Sequence, residues 1–390
     1  MTLNFNNLTV VDRKRSPLLL NEAVNYGKAK EETVELINFS INSLYVASYR
    51  HSNLVLVDPI IDNSCSNMSL NVGWLTSKVV IVNTKPYSIT SMAHMCSNKF
   101  IMMLDLSHFN VDYVEDVSYA FYECKGLKHV TFGKLGNGTL RKMTGMFKGC
   151  ANMVELSIYT VDTSNVTDMS SMFYKCTGLK KAILKSFDTR SVTNMDYMFC
   201  ECRNILRLDL SHFDTPNLVS MNEMFDHCTK LKELSLSKLN TSEVCDMHNL
   251  FNKCGSLKNL DLSNFDTGNV TTMYNMFNGC QSLKRLNIDN FDTSSVTNMS
   301  RMFNGCASLT EINVSHFNME KVIRASMMFC GCEKLEKLDL RDWDTQALRD
   351  TENMFSGCAS LKEVILPLEP KSRDIIYKQL VLDKIACKIK

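Results

Sequence analysis

Apolar and polar positions follow one order again and again along this chain. In residues 257–280, Leu257, Leu260 and Leu262 form an L-x-x-L-x-L segment whose second half alternates apolar with polar, predicting a strand with one buried face. Phe265-Asp266-Thr267-Gly268-Asn269 reads as a turn, with Asp and Thr side chains able to bond nearby backbone N–H groups. Val270, Met273, Met276, Phe277 and Cys280 then recur at i, i+3, i+6, i+7 and i+10, the spacing of one face of a short helix. Gly279 stands where such a helix would stop, as do Gly149, Gly305, Gly331 and Gly357 in their own copies. Each copy is therefore expected to be strand, turn, short helix.

The copies keep strict register. Cys124, Cys150, Cys176, Cys202, Cys228, Cys254, Cys280, Cys306, Cys332 and Cys358 are separated by 26 residues at every step, and a Phe stands three residues before each of them. Two Met columns run alongside, one immediately before the Phe and one three residues further back. No copy can bury its apolar face alone, whereas stacked copies share a continuous core. The expected fold is an α/β leucine-rich-repeat solenoid of strand-turn-short-helix coils on one parallel sheet, with caps at both ends.

Domain limits follow from where the register weakens. The solenoid proper is expected over 91–366, including a degenerate first coil in which Leu104-Asp105-Leu106-Ser107-His108-Phe109 matches Leu208-Asp209-Leu210-Ser211-His212-Phe213. The apolar runs 54–57 and 79–82 continue the strand spacing, so 51–90 is read as further degenerate coils. Residues 1–50 fit no column and are expected to be an N-terminal cap or docking segment. At the other end Pro367 and Pro370 interrupt the pattern, and 372–388 carries Ile375, Ile376, Leu380, Leu382 and Ile385 among charges, so 367–390 is expected to hold a capping amphipathic helix.

Composition narrows the function. With 43 Lys plus Arg against 42 Asp plus Glu, the net charge of +1 offers no field for a polyanion and excludes nucleic acid as the main partner. No apolar run approaches the ~20 residues of a membrane span. The first residues, Met1-Thr2-Leu3-Asn4-Phe5, lack a basic and long apolar leader, and neither a lipidated Cys nor a C-terminal anchor is seen. A cytoplasmic or virion-associated chain with free thiols is thus favoured over a classically secreted one. The sequons at Asn165 and Asn269 fall out of the repeat itself and carry no weight here.

The stretch Asn-Phe-Asp-Thr-Ser-Ser-Val-Thr-Asn-Met-Ser-Arg-Met-Phe-Asn-Gly-Cys-Ala-Ser-Leu at 290–309 resembles the BspA-like leucine-rich repeats of bacterial surface proteins and mycoplasma lipoproteins. The resemblance extends over about 91–366. It implies a protein-binding or adhesin-type solenoid and brings no catalytic residues with it.

Candidate chemistry is sparse. The Cys ladder keeps register with Met and Phe, which places it in the core as small hydrophobes. Cys200 and Cys330 each stand two residues before a ladder Cys and are read, with Cys245, as exposed thiols of open reactivity. Five coils at ~4.8 Å separate Cys200 from Cys330, too far to share an ion. His108, His212 and His316 occupy one column but are four coils apart. The turn acids Asp188, Asp214, Asp266, Asp292 and Asp344 are explained by turn-closing hydrogen bonds without calcium. No metal, cofactor or catalytic set is therefore expected, and no P-loop, zincin or nucleophile-elbow motif is found.

Outward strand positions are where such solenoids bind partners. One column, His129, Glu155, Lys181, Arg207, Glu233, Asn259, Arg285, Glu311, Lys337, Glu363, largely alternates sign, which favours cross-strand ion pairs. Its neighbour carries Lys128, Lys180, Lys232, Lys258, Lys284 and Lys362 as a basic stripe. The residues expected to anchor a partner are Tyr159, Ile183, Arg207, Arg285, Arg341 and Ile365, because aromatic and Arg side chains dominate binding energy. Two functions stand open: a non-enzymatic solenoid recognising a protein, a glycan or a host surface component through its strand face, or a structural or host-attachment component of a phage or viral particle, assembled through the N-terminal region or as a homo-oligomer.

Overall fold

In the computed structural model, which describes residues 8–12, 33–37, 53–59, 76–83, 89–96, 100–109 and 111–390, the chain forms two units. The first comprises Met1–Asp168 with Met172–Asp188, the second Met169–Ser171 with Thr189–Lys390. Each is a leucine-rich-repeat solenoid; from Met103 to Glu363 the strands keep the 26-residue step, whereas the paired positions Leu8, Thr33, Asn53, Lys78 and Met103 of the first unit step by 25, 20, 25 and 25.

In the first unit β1 (Leu8–Asp12), β2 (Thr33–Ile37), β3 (Asn53–Val57), β4 (Lys78–Val82), β5 (Met103–His108) and β6 (His129–Phe132) form one parallel sheet in chain order. β1 and β2 lie in the stretch expected to be a cap, and they pair residue for residue, as β2 does with β3. That stretch thus carries rungs of the sheet; its remaining residues, 13–32 and 38–50 among them, lie outside those described. β3 and β4 are five residues long with the three central positions buried, as their uninterrupted runs Leu-Val-Leu and Val-Val-Ile require. From β7 (Glu155–Ser157) onward strands shrink to three residues with a single inward side chain, and β7 pairs only β8 (Lys181–Ile183).

In the second unit β9 (Arg207–Asp209) pairs β10 (Glu233–Ser235), β11 (Asn259–Asp261) pairs β12 (Arg285–Asn287), and β13 (Lys337–Asp339) pairs β14 (Glu363–Ile365). All pairs are parallel, as expected, but in the second unit the single continuous sheet is replaced by short ladders of two or three strands.

The expected short helices are not formed. At 273–280 every second N–H leaves the coil: Met273, Asn275, Phe277 and Gly279 donate to the carbonyls of Asn298, Ser300, Met302 and Asn304 in the next coil, at 2.7–3.0 Å. The alternate N–H groups, on Met276, Asn278 and Cys280, donate three residues back, to Met273, Asn275 and Phe277. A helix this short would leave its first four N–H groups and last four carbonyls unmatched, whereas consecutive turns on stacked coils satisfy nearly all of them. Two residues per coil, four apart, must then take positive φ: Asn275 at 57° and Gly279 at 71° here. The Gly column is the second of these positions. In coils without glycine the strained conformation is carried by Glu123, Lys175, Glu201, His227 or Lys253.

Inside each unit the Phe rings stack coil on coil. Phe121, Phe147 and Phe173 lie with centroids 5.2 and 5.7 Å apart, and the run Phe199 to Phe355 continues at 5.6–6.0 Å with rings within 13° of parallel. Both Met columns are buried beside them.

The C-terminus departs from the expected plan. Pro370 opens the helix rather than barring it, since N1 needs no N–H donor. The helix, α1 (Pro370–Leu382), is capped by Glu369, whose carboxylate accepts from the Ser372 N–H at 2.6 Å. It ends before Asp383, and β15 (Lys388–Ile389) pairs parallel with β14. Ile389 thus sits on a strand, because the outer edge of β14 offers backbone groups that a helix cannot pair. Among the described residues no helix is long and apolar enough to cross a membrane.

Candidate functional site

Each ladder Cys performs a local task. Cys280 Sγ donates to the Phe251 carbonyl of the preceding coil at 3.2 Å, and the same bond recurs from Cys150, Cys176, Cys228, Cys254, Cys306, Cys332 and Cys358 at 3.0–3.3 Å. Burial pushes the Cys176, Cys280 and Cys358 thiols up to about 12. These sulfurs are therefore protonated donors at neutral pH rather than nucleophiles or ligands.

Thr and Asp divide the turn. Thr241, wholly buried, donates from Oγ1 to the Asp266 carbonyl at 2.7 Å and accepts from the Asp266 N–H at 2.9 Å. Thr163 and Thr215 make the same reciprocal pair with Asp188 and Asn240. The turn Thr thus ties one coil to the next instead of capping a helix in its own. Asp266, Asp292 and Asp344 close their turns by accepting from the N–H two residues on, at 2.8–3.1 Å. In the His column, His316 meets the Ile288 carbonyl at 3.1 Å and His212 lies edge-on against Phe213. Asn165 and Asn269, the sequon residues, donate to backbone carbonyls of the preceding coil.

The outward strand column is exposed and partly self-neutralising: Arg207 lies 3.3 Å from Glu233 and Lys337 3.1 Å from Glu363. Lys362 of the basic stripe pairs with Glu336 at 3.1 Å. By contrast Lys232, Lys258 and Lys284, on three successive coils of the second unit, are exposed without an ion-pair partner among the described residues. Of the six residues singled out, Tyr159 and Ile183 fall in neighbouring coils of the first unit, with Tyr159 62% exposed and Ile183 half-buried. Arg207, Arg285, Arg341 and Ile365 belong to the second unit and do not converge: Arg207 and Arg285 are three coils apart, roughly 14 Å, and the Arg341 guanidinium is fixed on Asp339 by three bonds of 2.7–3.1 Å.

Of the three extra thiols, Cys245 is exposed and Cys330 half-buried. Cys200 is not exposed as expected: it is 2% exposed and turned onto Asp226 of the next coil, with Sγ 3.7 Å from Oδ2. Burial, followed by the charges of Asp226, Glu223 and Glu201, pushes its thiol well above the usual range. Cys200 and Asp226 stand one 26-residue step apart in the same column, and that step is the sequence signal of their contact.

The stacked parallel coils, Phe ladder and Met-Phe and Cys-x-x-Leu columns define a leucine-rich-repeat solenoid of BspA-like type. The chain belongs to the DUF285 family, described as Mycoplasma protein of unknown function, which matches residues 63–153, 141–260 and 245–367. No curated protein matches it. Among solved structures it is similar to a leucine-rich cell surface protein from Faecalibacterium prausnitzii A2-165, at 14% identity over 90% of this chain and 92% of that one, with a TM-score of 0.34. It is also similar to the TLR13 chain of a TLR13–ssRNA13 complex, at 13% identity over 92% of this chain and 78% of that one, with a TM-score of 0.18.

Proposed function

We propose that this protein is a non-enzymatic recognition solenoid that holds a protein or glycan partner on its outward strand positions. The observation that carries this reading is the unbalanced lysine column of the second unit. Like charges on adjacent coils oppose one another, so the ammonium groups of Lys232, Lys258 and Lys284, each one residue before its strand, add no ion pair to the stacking that their backbone makes, although the next column pairs its charges across Arg207 and Glu233. A solvated rim would gain from the same alternation. An uncompensated basic column on an exposed face instead favours an acidic partner by steering and complementarity. Tyr159 and Ile183 supply an apolar anchor pair on the first unit, and Arg207 and Arg285 flank the lysines on the second.

The test is reversal of all three lysines to Glu in the full chain, beside a control reversing Lys371, Lys378 and Lys384 near the C-terminal helix. A partner identified by cross-linking and then measured in purified form should bind the strand-face variant at least about tenfold more weakly, with binding to the control unchanged. Equal affinity of both variants would overturn the assignment to this face.

A further inference from the structure

Within the second unit Cys200, Glu223 and Asp226 bring a thiol and two carboxylates together, with their ligand atoms all within 4.8 Å of one another. The repeat departs from its usual residues here. The column of Cys200 and Asp226 continues as Asn252, Asn278 and Asn304, and these amides form a directed ladder. Asn304 Nδ2 donates to Asn278 Oδ1, Asn278 Nδ2 to Asn252 Oδ1, and Asn252 Nδ2 to Asp226 Oδ1, each at 2.7 Å. His227 Nδ1 meets the same Asp226 oxygen at 2.8 Å. The ladder therefore ends on Oδ1 and leaves Oδ2 aimed at the Cys200 sulfur, 3.7 Å away. Glu223 completes the group from its own coil, held by Asn249 Nδ2 at 3.2 Å and by His248 Nε2 at 3.4 Å.

Asp226 is only 7% exposed. A carboxylate so buried, beside a second carboxylate and a thiol, is stabilised most by a cation in their midst. We propose that Cys200, Glu223 and Asp226 bind a divalent ion of the zinc type. Tetrahedral bonds of about 2.3 Å to sulfur and about 2.1 Å to oxygen place those two donors roughly 3.6 Å apart, close to the observed Sγ–Oδ2 separation. The thiolate selects against magnesium and calcium, which take oxygen ligands. Binding is a ligand exchange without redox change: the metal–sulfur bond forms as the Cys200 proton passes to solvent, and water fills the fourth position on the side where Glu223 and His227 reach the surface. Asn252 and His227 orient Asp226 through its other oxygen, as outer-shell partners do in metal sites.

The full chain, reduced and stripped of metal, is titrated with Co²⁺, read by sulfur-to-cobalt charge-transfer and visible bands, and then back-titrated with Zn²⁺. One equivalent of Co²⁺ should develop thiolate bands that Zn²⁺ abolishes and excess Mg²⁺ does not. Cys200→Ser should remove the charge-transfer band, Cys245→Ser should leave it intact, and the milder Glu223→Gln, at a partly exposed position, should weaken binding at least about tenfold with an unchanged circular dichroism spectrum. Absence of a thiolate band, its persistence in Cys200→Ser, or full affinity in a folded Glu223→Gln would overturn the proposal.

Discussion

A buried thiol at every coil answers a backbone demand. The Phe251 carbonyl already accepts the N–H of Cys254 in its own coil, and the Cys280 thiol adds a second donor from the next. A small, weakly polar side chain that packs like a hydrophobe and still donates suits that position, which explains why cysteine occupies it. Burial raises the ladder thiols, so their thiolate fraction stays small even in mildly alkaline buffer. Among the described cysteines, Cys245 should therefore react with a maleimide first, Cys330 and Cys387 more slowly, and the ladder only on unfolding; site-resolved mass spectrometry of a labelling time course at pH 8 checks this order. Rapid labelling of Cys176 or Cys280 in the folded protein would contradict it.

At the scale of the element, the turn-rich segment shows how spacing alone can mislead. Met273, Met276, Phe277 and Cys280 all face inward, as an amphipathic helix would place them. The backbone achieves the same facing with alternate hydrogen bonds to the next coil and two left-handed residues per coil. Glycine at the second of these relieves strain that Lys253 bears at φ 57°. Lys253→Gly is expected to raise unfolding stability by about 1 kcal/mol, and Gly279→Ala to lower it by about the same or more, because a Cβ there would stand 3.3 Å from Lys253 Cγ as well as forcing φ. Urea denaturation of both variants gives the sign. A stabilising Gly279→Ala would show that the segment becomes helical in solution.

Across the whole molecule each unit repeats one economy: coils exchange backbone bonds, so a coil is complete only when another unit of structure covers it. At the C-terminal end α1 supplies that cover. Asp383 Oδ2 accepts the Phe355 N–H at 2.8 Å, a donor that earlier coils send forward to a following coil; the Ser372 carbonyl accepts Thr345 Oγ1 at 3.5 Å as following coils accept the earlier turn Thr, Ser372 Oγ accepts the Thr345 N–H at 2.8 Å, and β15 pairs β14. Deleting residues 388–390 bares the edge of β14 and frees Glu363 from Lys390, 2.6 Å away. Self-association should then rise with concentration, since an uncovered parallel edge templates further pairing. Sedimentation velocity over a concentration series tests this, and a distribution identical to that of the intact chain would refute it.

The sequence by itself determined the repeat, its period, the inward columns and the parallel stacking, because Phe, Met, Cys and Leu recur without insertion and each coil must bury the same face. Tertiary structure alone decided the turns in place of helices, the rungs β1 and β2 within the expected cap, and the meeting of Cys200 with Asp226 and Glu223. These depend on where backbone groups and side chains of one coil find partners in another, 20 to 29 residues away. Hydrophobic spacing records which side chains face inward. It holds no record of which coil receives their hydrogen bonds.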